Sequence, residues 1–323
     1  MKKIAILTSG GDASTMNKCL SAFVTFASKF NLEVYFVYEG FKGLCENKIH
    51  KADYSETKSW YNLAGTKILS ARFMEFKEDE YVDKAFNNLK NLGIDVLIVI
   101  GGDGSYQGAY KLHKKGFKVI GLPGTIDNDI SSSKYTIGFD SSLNAIVQTI
   151  FKIKACMNSH RNIALVEIMG RHCVDLTVFA GIACEADILV TNENWVSPNE
   201  LLTKISEIRK INKYGILILV NENLLGKNNV PSLNEYKEYI EKNSCEQVKV
   251  NVLGHLQRGG EPTAMDLVRA TQMVYKCCEL IKNEQYGKIV GLNNNEEPDA
   301  YDIEIVNKTT QPISRSEFIK KYI

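Results

Sequence analysis

Proline is scarce in this chain, six in 323 residues, and the only low-complexity run is Asn293-Asn294-Asn295. With 44% hydrophobic and 24% charged residues beside 23 glycines, the composition excludes disordered, collagen-like and disulfide-scaffold classes. Net charge is almost absent: 39 basic residues against 38 acidic ones leave +1. No global basic field attracts nucleic acid or an anionic membrane, so an anion site must be built locally. Long hydrophobic runs are missing too. Met1-Lys2-Lys3 is followed by an apolar stretch of only Ile4 to Leu7, against roughly 7–15 for a secretory leader and ~20 for a membrane helix. Neither is expected. The eight cysteines (19, 45, 156, 173, 184, 245, 277, 278) include no CxxC and no His/Cys spacing suited to zinc. They predict reduced thiols in a cytoplasmic protein. Cys277 and Cys278 are expected at one exposed and one buried helix position, and His50 and His113 at the surface.

At ~100–200 residues per domain, the length suggests two domains or one large α/β unit. The recurring pattern is a short apolar run, a glycine-bearing loop and a helical stretch. Strands are predicted over residues 3–7, 33–38, 95–100, 118–122, 163–168, 215–220, 248–253 and 288–292. Helices are predicted over 15–29, 79–92, 143–156, 175–184, 199–210, 235–242 and 263–282. The run DVLIVI at 95–100 has no polar alternation after its first residue, as in a parallel strand covered on both faces. Such alternation predicts doubly wound, mostly parallel α/β sheets, whose ligands sit beyond the carboxyl ends of the strands. The polar stretch 226–229 reads as a surface insertion.

Three strands are followed by polar, chemistry-bearing loops. The first is Thr8-Ser9-Gly10-Gly11-Asp12, where glycines let backbone N–H groups approach an anion near a helix start. Alone, it serves equally as a structural turn. The second is Gly101-Gly102-Asp103-Gly104-Ser105, a carboxylate among glycines, suited to Mg²⁺ beside a polyphosphate. The third is Pro123-Gly124-Thr125-Ile126-Asp127-Asn128-Asp129, where one carboxylate can take a hydroxyl proton and the other can stand near a metal. Capping turns are the plain alternative for both. Only seven of the 39 basic residues are arginine. Arg72, Arg161, Arg171 and Arg258 lie in polar, glycine-flanked or histidine-bearing segments and read as grips on phosphate; Arg209, Arg269 and Arg315 read as salt-bridge formers.

The segments LTSGGDA, SARF, GGDGS, GLPGTIDND, IGFD, MGRHC and GHLQRGG occur in that order along nearly the whole chain. Together they resemble the bacterial-type ATP-dependent 6-phosphofructokinases. The resemblance implies a larger, ATP-binding domain (1–138 with about 257–310), a smaller, sugar-phosphate-binding domain (about 139–256 with 311–323) and an active site between them. It also implies homotetramers in which a neighbouring subunit completes the sugar-phosphate pocket. The implied reaction is ATP-dependent phosphorylation of fructose 6-phosphate at the C1 hydroxyl, giving fructose 1,6-bisphosphate and ADP, the committed step of glycolysis. By motif, Gly11, Arg72, Phe73, Gly102, Asp103, Gly104 and Ser105 would bind ATP, and Asp103 with Asp129 would hold Mg²⁺. Asp127, positioned with Thr125, would be the base, while Arg72 and Arg171 would compensate the charge of the moving phosphoryl. Met169, Gly170, Glu222, His255 and Arg258 would cradle the sugar phosphate, with Asn162 and Lys249 reaching in from a neighbour.

Pyrophosphate-using relatives usually carry aspartate at Gly104 and lysine at Gly124; glycine at both points to ATP. Two departures concern the acceptor, because the family generally has arginine where this chain has Asn162 and Lys249. They imply a weakened fructose 6-phosphate site or another ketose phosphate, such as tagatose 6-phosphate or sedoheptulose 7-phosphate. A catalytically silent regulatory paralogue is the reading from outside the enzyme class. The effector site of bacterial relatives has basic residues where this chain has Ser21, Thr25, Tyr54 and Ile211, although Lys154 and Lys213 remain basic. Weak or absent control by ADP and phosphoenolpyruvate is therefore expected. Nothing explains Val174 and Glu261, which stand where relatives have small or hydroxylic residues.

Overall fold

The computed structural model describes residues 1–222 and 230–304. The surface insertion expected at 226–229, the returning segment 311–323 and Arg315 lie outside them. Among the described residues the chain divides into two compact units, Met1–Ser141 with 258–304, and Ser142–Gln257.

The first unit is built on β1 (Lys2–Thr8), α1 (Met16–Phe26), β2 (Leu32–Val37), α2 (Gly40–Cys45), β3 (Ile49–Lys51), α3 (Tyr54–Lys58), α4 (Asp79–Asn91), β4 (Val96–Gly101), α5 (Asp103–Lys114) and β5 (Val119–Pro123). α6 (Phe139–His160) carries the chain into the second unit. That unit holds β6 (Ile163–Ile168), α7 (Asp175–Cys184), β7 (Ile188–Val190), α8 (Pro198–Ile211), β8 (Ile216–Asn221), α9 (Leu233–Asn243) and β9 (Val248–Val252). The chain returns to the first unit with α10 (Ala264–Lys282), β10 (Lys288–Leu292) and β11 (Pro298–Asp302).

The larger sheet has the order β11-β10-β5-β4-β1-β2-β3, parallel within and closed at each edge by an antiparallel strand. The smaller sheet, β7-β8-β6-β9, is parallel throughout. Every residue of β4 and of β8 is buried, as their unbroken apolar runs require. α8 and α9 start from side-chain caps. Ser197 and Ser232 each close a capping box, with Glu200 and Glu235 respectively.

Two expectations are corrected. Cys277 and Cys278 are both fully buried. Their helix, α10, packs against α1 as well as β10 and β5, and adjacent positions some 100° apart both turn inward when a helix is covered over a wide arc. His50 is exposed, whereas His113 is half-buried with its ring against the α-carbon of Gly287, where a Cβ would fall 2.6 Å from it. The sequence reading also passed over α5, whose Gly104 and Gly108 are poor helix formers. Packing demands Gly108, because a Cβ there would lie 2.8 Å from Phe41 Cζ and 3.2 Å from Phe76 Cδ1.

Candidate active site

In the larger sheet β5, β4 and β1 are consecutive, so their carboxyl-end loops lie side by side. From β1 the chain goes to β2 on one flank and then to β4 on the other. The crevice between β1 and β4 is therefore a topological switch point, where open α/β sheets bind ligands. The loops interlock. Ser9 N donates to Ile100 O (3.0 Å) and Gly124 N to Gly101 O (3.1 Å). A Cβ on Gly101 would stand 2.5 Å from Ser105 Oγ and 2.6 Å from Ser9 O, so nothing larger than hydrogen fits at this crossing. Asp103 opens α5 with its carboxylate exposed beside exposed Gly104, while Ser105 turns inward.

In the third loop Asp127 is 8% exposed. Its N–H donates to Thr125 Oγ1 at 3.2 Å. Asn128, with φ +54°, clamps the loop by accepting from Thr136 N (3.0 Å) and donating to Lys134 O (3.2 Å). Thr136 Oγ1 donates to Thr125 O at 2.7 Å. Beneath these loops lies the fully buried Tyr106 hydroxyl. It is pushed well above its usual pKa by burial first and then by the negative charge of Asp103 and Asp129, among other groups. Among the described residues no three acidic, histidine or cysteine side chains form a metal cage. One or two carboxylates with room left for phosphate oxygens and water is what Mg²⁺ asks of a nucleotide site, and the pair fits it.

Arg258 belongs to this set. Its Nη1 donates to Asp12 O at 2.9 Å, and its own carbonyl accepts from Ser14 Oγ at 3.1 Å. The guanidinium fills the space a side chain on Gly11 would take: a Cβ there would fall 2.3 Å from Nη1. Since the resemblance sets Gly11 at the nucleotide and Arg258 at the acceptor, Gly11→Ala is expected to expel Arg258 and raise both KM values; steady-state kinetics varying each substrate checks this. Arg72 is exposed at the end of a segment tied to the first loop by Ser70 Oγ donating to Gly10 O at 2.8 Å. Phe73 stacks edge-to-face on Tyr81, centroids 5.2 Å apart.

In the second unit the carboxyl ends of β6 and β8 bring Met169-Gly170-Arg171 against Glu222. Glu222 Oε1 accepts from Arg171 N (3.0 Å) and Gly170 N (3.3 Å). Gly170 has φ +146° and its Cβ would lie 2.5 Å from Cys173 O, a conformation reserved for glycine. Met169 N donates to Oε1 of the buried Gln257 at 3.0 Å, a partner the sequence reading did not single out. Glu167, inside β6, has its carboxyl raised by burial and by the charge of Glu222. His255 is exposed in the short 3-10 helix Gly254–Arg258.

Asn162 and Lys249 lie elsewhere. Asn162 directly precedes β6 and Lys249 is the second residue of β9, its parallel neighbour, so both stand at the amino ends of the strands. A six-residue strand separates them from Met169–Arg171, roughly 20 Å at ~3.3 Å per residue. There they line a cavity of about 760 Å³ with His160, Arg161, Arg209 and Glu246. Arg209 is spent on Glu246, at 2.7 and 2.8 Å, and Arg269 likewise pairs with Glu296, at 2.8 Å. Neither Arg161 nor Lys249 has an ion pair among the described residues. Lys154 donates to Cys184 O at 2.7 Å. No disulfide joins any of the eight cysteines among the described residues, and no helix among them is long and apolar enough to cross a membrane.

Comparison with known proteins agrees with this geometry. The phosphofructokinase family model matches residues 3–281. A Malacoplasma penetrans protein named "Probable ATP-dependent 6-phosphofructokinase" is 57% identical over 322 residues, covering 100% of this chain and 99% of that one. The ATP-dependent 6-phosphofructokinase of Photobacterium profundum is 40% identical, covering 98% and 97%. Phosphofructokinase from Saccharomyces cerevisiae superposes with a TM-score of 0.88 at 30% identity, covering 100% of this chain and 47% of the yeast chain. A pyrophosphate-dependent phosphofructokinase from Marinobacter aquaeolei shares the fold, with a TM-score of 0.84 at 15% identity, 97% of this chain and 86% of that one being covered. With the loop order, the switch-point crevice and these matches in agreement, the chain belongs to the phosphofructokinase family.

Proposed function

We propose that the chain is an ATP-dependent 6-phosphofructokinase that transfers the terminal phosphoryl of ATP to the C1 hydroxyl of fructose 6-phosphate, yielding fructose 1,6-bisphosphate and ADP in glycolysis. The observation that supports the reading is the side-by-side order of β5, β4 and β1, which sets the loops bearing Gly11, Asp103 and Asp127 next to one another along the carboxyl edge of one sheet. The curated names of relatives covering nearly the whole chain support it. Phosphoryl transfer needs alignment and charge compensation more than covalent chemistry, and this chain's residues are suited to that. Asp127 accepts the C1 hydroxyl proton, with Thr125 fixing its loop. Gly11, Gly102, Gly104 and Ser105 leave backbone space for the triphosphate, Phe73 borders the nucleotide, and Arg72 follows the transferred group. Arg171, whose N–H is held by Glu222, offsets charge on the moving phosphoryl. Met169, Gly170, Glu222, His255 and Arg258 hold the sugar phosphate. Asp103 and Asp129 would hold Mg²⁺, which would neutralise part of the polyphosphate charge. The first unit is then the ATP-binding domain, the second the sugar-phosphate domain, and the cytoplasm the compartment.

Lys249 and Asn162 stand about a strand's length from Gly170 and Glu222, too far to share one small sugar phosphate within a single chain. That separation supports a homo-oligomer, a tetramer by resemblance, in which this cavity serves a neighbour's site. Arg161, which has φ +57° at the turn into β6, lines the cavity beside Asn162 and restores the missing positive charge there. This favours fructose 6-phosphate over another ketose phosphate. Arg161→Ala and Lys249→Ala are each expected to raise the KM for fructose 6-phosphate about 10–100-fold, the worth of one charged hydrogen bond, with the KM for ATP unmoved. A coupled ADP-release assay with Mg-ATP and a panel of phosphosugars, repeated with pyrophosphate as donor, tests the whole reading. Turnover with pyrophosphate alone, or none with fructose 6-phosphate, overturns it.

A further inference from the structure

Asn17 is the second residue of α1, just beyond the Gly10–Asp12 loop, and is 1% exposed. Asparagine is a poor helix former that prefers caps and turns, so neither helix propensity nor apolar packing accounts for it there. Its side chain is spent on one segment of backbone. Nδ2 donates to Leu63 O (3.1 Å) and to Ala64 O (3.3 Å), and Oδ1 accepts from Lys67 N (2.7 Å). That segment leads to Arg72 through residues 59–73, which contain neither helix nor strand, and its backbone takes positive φ at Gly65 (+74°) and Leu69 (+62°). No ladder of its own satisfies these peptide groups, so ties from β1, the loop after it and α1, with Glu39 N donating to Ile68 O at 2.9 Å, fix its path. Thr8 Oγ1 donates to Leu69 O at 2.9 Å, Ser70 Oγ to Gly10 O at 2.8 Å, and Asn17 holds the far end.

We infer that Asn17 is a positioning residue for Arg72: by engaging both amide protons and its carbonyl on 63–67, it locks the arginine-bearing segment to the phosphate loop. The inference rests on the kinase reading and deepens it, because the segment and the loop then move as one body on which the guanidinium keeps its distance to the transferred phosphoryl. Aspartate is isosteric but offers no donor to the Leu63 and Ala64 carbonyls and sets a negative charge against them. Alanine removes all three bonds.

The test is a double-mutant cycle of Asn17→Ala with Arg72→Ala, assayed with Mg-ATP and fructose 6-phosphate. A misplaced catalytic group costs roughly 10–100-fold, so Asn17→Ala should lower kcat by that factor in the parent chain. In the Arg72→Ala background it should change kcat less than about twofold, since groups acting as one unit are not additive. A merely structural asparagine instead lowers kcat by the same factor in both backgrounds, and that result overturns the proposal, as does an unchanged kcat in the parent. Should Asn17→Ala not fold, Asn17→Asp enters the same cycle, keeping the bond from Lys67 N while losing the other two. Amide exchange at 63–67 must quicken in either variant, whereas exchange in β4 stays as in the parent. If the parent chain transfers no phosphoryl to fructose 6-phosphate, the functional reading fails. The cycle is then read on Mg-ATP affinity, where additivity still refutes the role given to Asn17.

Discussion

Asp127→Ala lowers kcat by about 10²–10⁴, the usual contribution of a positioned general base, while leaving the KM for ATP near the parent value. The loop carrying Asp127 is held by other groups, the Asn128 clamp on Thr136 N and Lys134 O and the Thr136 hydroxyl on Thr125 O. Removing the carboxylate should therefore delete the proposed proton acceptor without releasing the loop, and the melting temperature should stay within a few degrees of the parent. Asp127→Asn preserves shape and loses basicity, and it is expected to match alanine in kcat. ADP release at saturating substrates is the measurement. If both variants keep more than about a third of the parent rate, Asp127 is not the base. A catalytically silent paralogue is separated at once, since its parent chain has no rate to lose.

Gly104→Asp should reduce kcat/KM for ATP roughly 10–100-fold with no loss of stability. A Cβ at Gly104 meets nothing within 4 Å, so the side chain enters open space at the start of α5. Its carboxylate would stand beside Asp103 and the proposed triphosphate site. Two like charges about 6 Å apart repel by roughly 3 kcal/mol at an effective dielectric of 20. Screening at this exposed position trims that figure, which sets the lower end of the range. Gly124 behaves differently. A Cβ there would lie 2.7 Å from Ile100 Cγ2 and 3.0 Å from Met16 Cε, inside the core. Gly124→Ala should therefore act on stability, at about 1–3 kcal/mol as overpacking, read by thermal unfolding. The two glycines share a sequence rationale yet sit in unlike surroundings, one in solvent and one among buried methyl groups. Undiminished ATP use by Gly104→Asp would show that this loop does not face the nucleotide.

Much of the fold was legible in local pattern. The predicted strand 163–168 and helix 175–184 match Ile163–Ile168 and Asp175–Cys184 residue for residue, because both are mostly apolar runs and the polar, glycine-bearing turn at 169–172 separates them. The helix predicted over 143–156 is longer at both ends, Phe139–His160. α5 escaped notice because its glycines answer to Phe41 and Phe76 from elements far away in sequence. Asn17 and Gln257 escaped for a related reason: a buried amide is recognised by the backbone it satisfies, and no spacing rule announces that backbone.

By itself, then, the sequence determined that this is an alternating α/β chain with phosphate-type loops after its first, third and fourth predicted strands, which are β1, β4 and β5 of the structure, since apolar periodicity and glycine-aspartate punctuation act over a few residues. Only the tertiary structure decided that those three strands are neighbours, that Arg258 occupies the space left by Gly11, and that Asn162 and Lys249 stand at the opposite end of their sheet from Gly170 and Glu222. Strand order and register are set by long-range burial and hydrogen bonding between segments scores of residues apart, and a crossover can return its strand to either flank of a sheet.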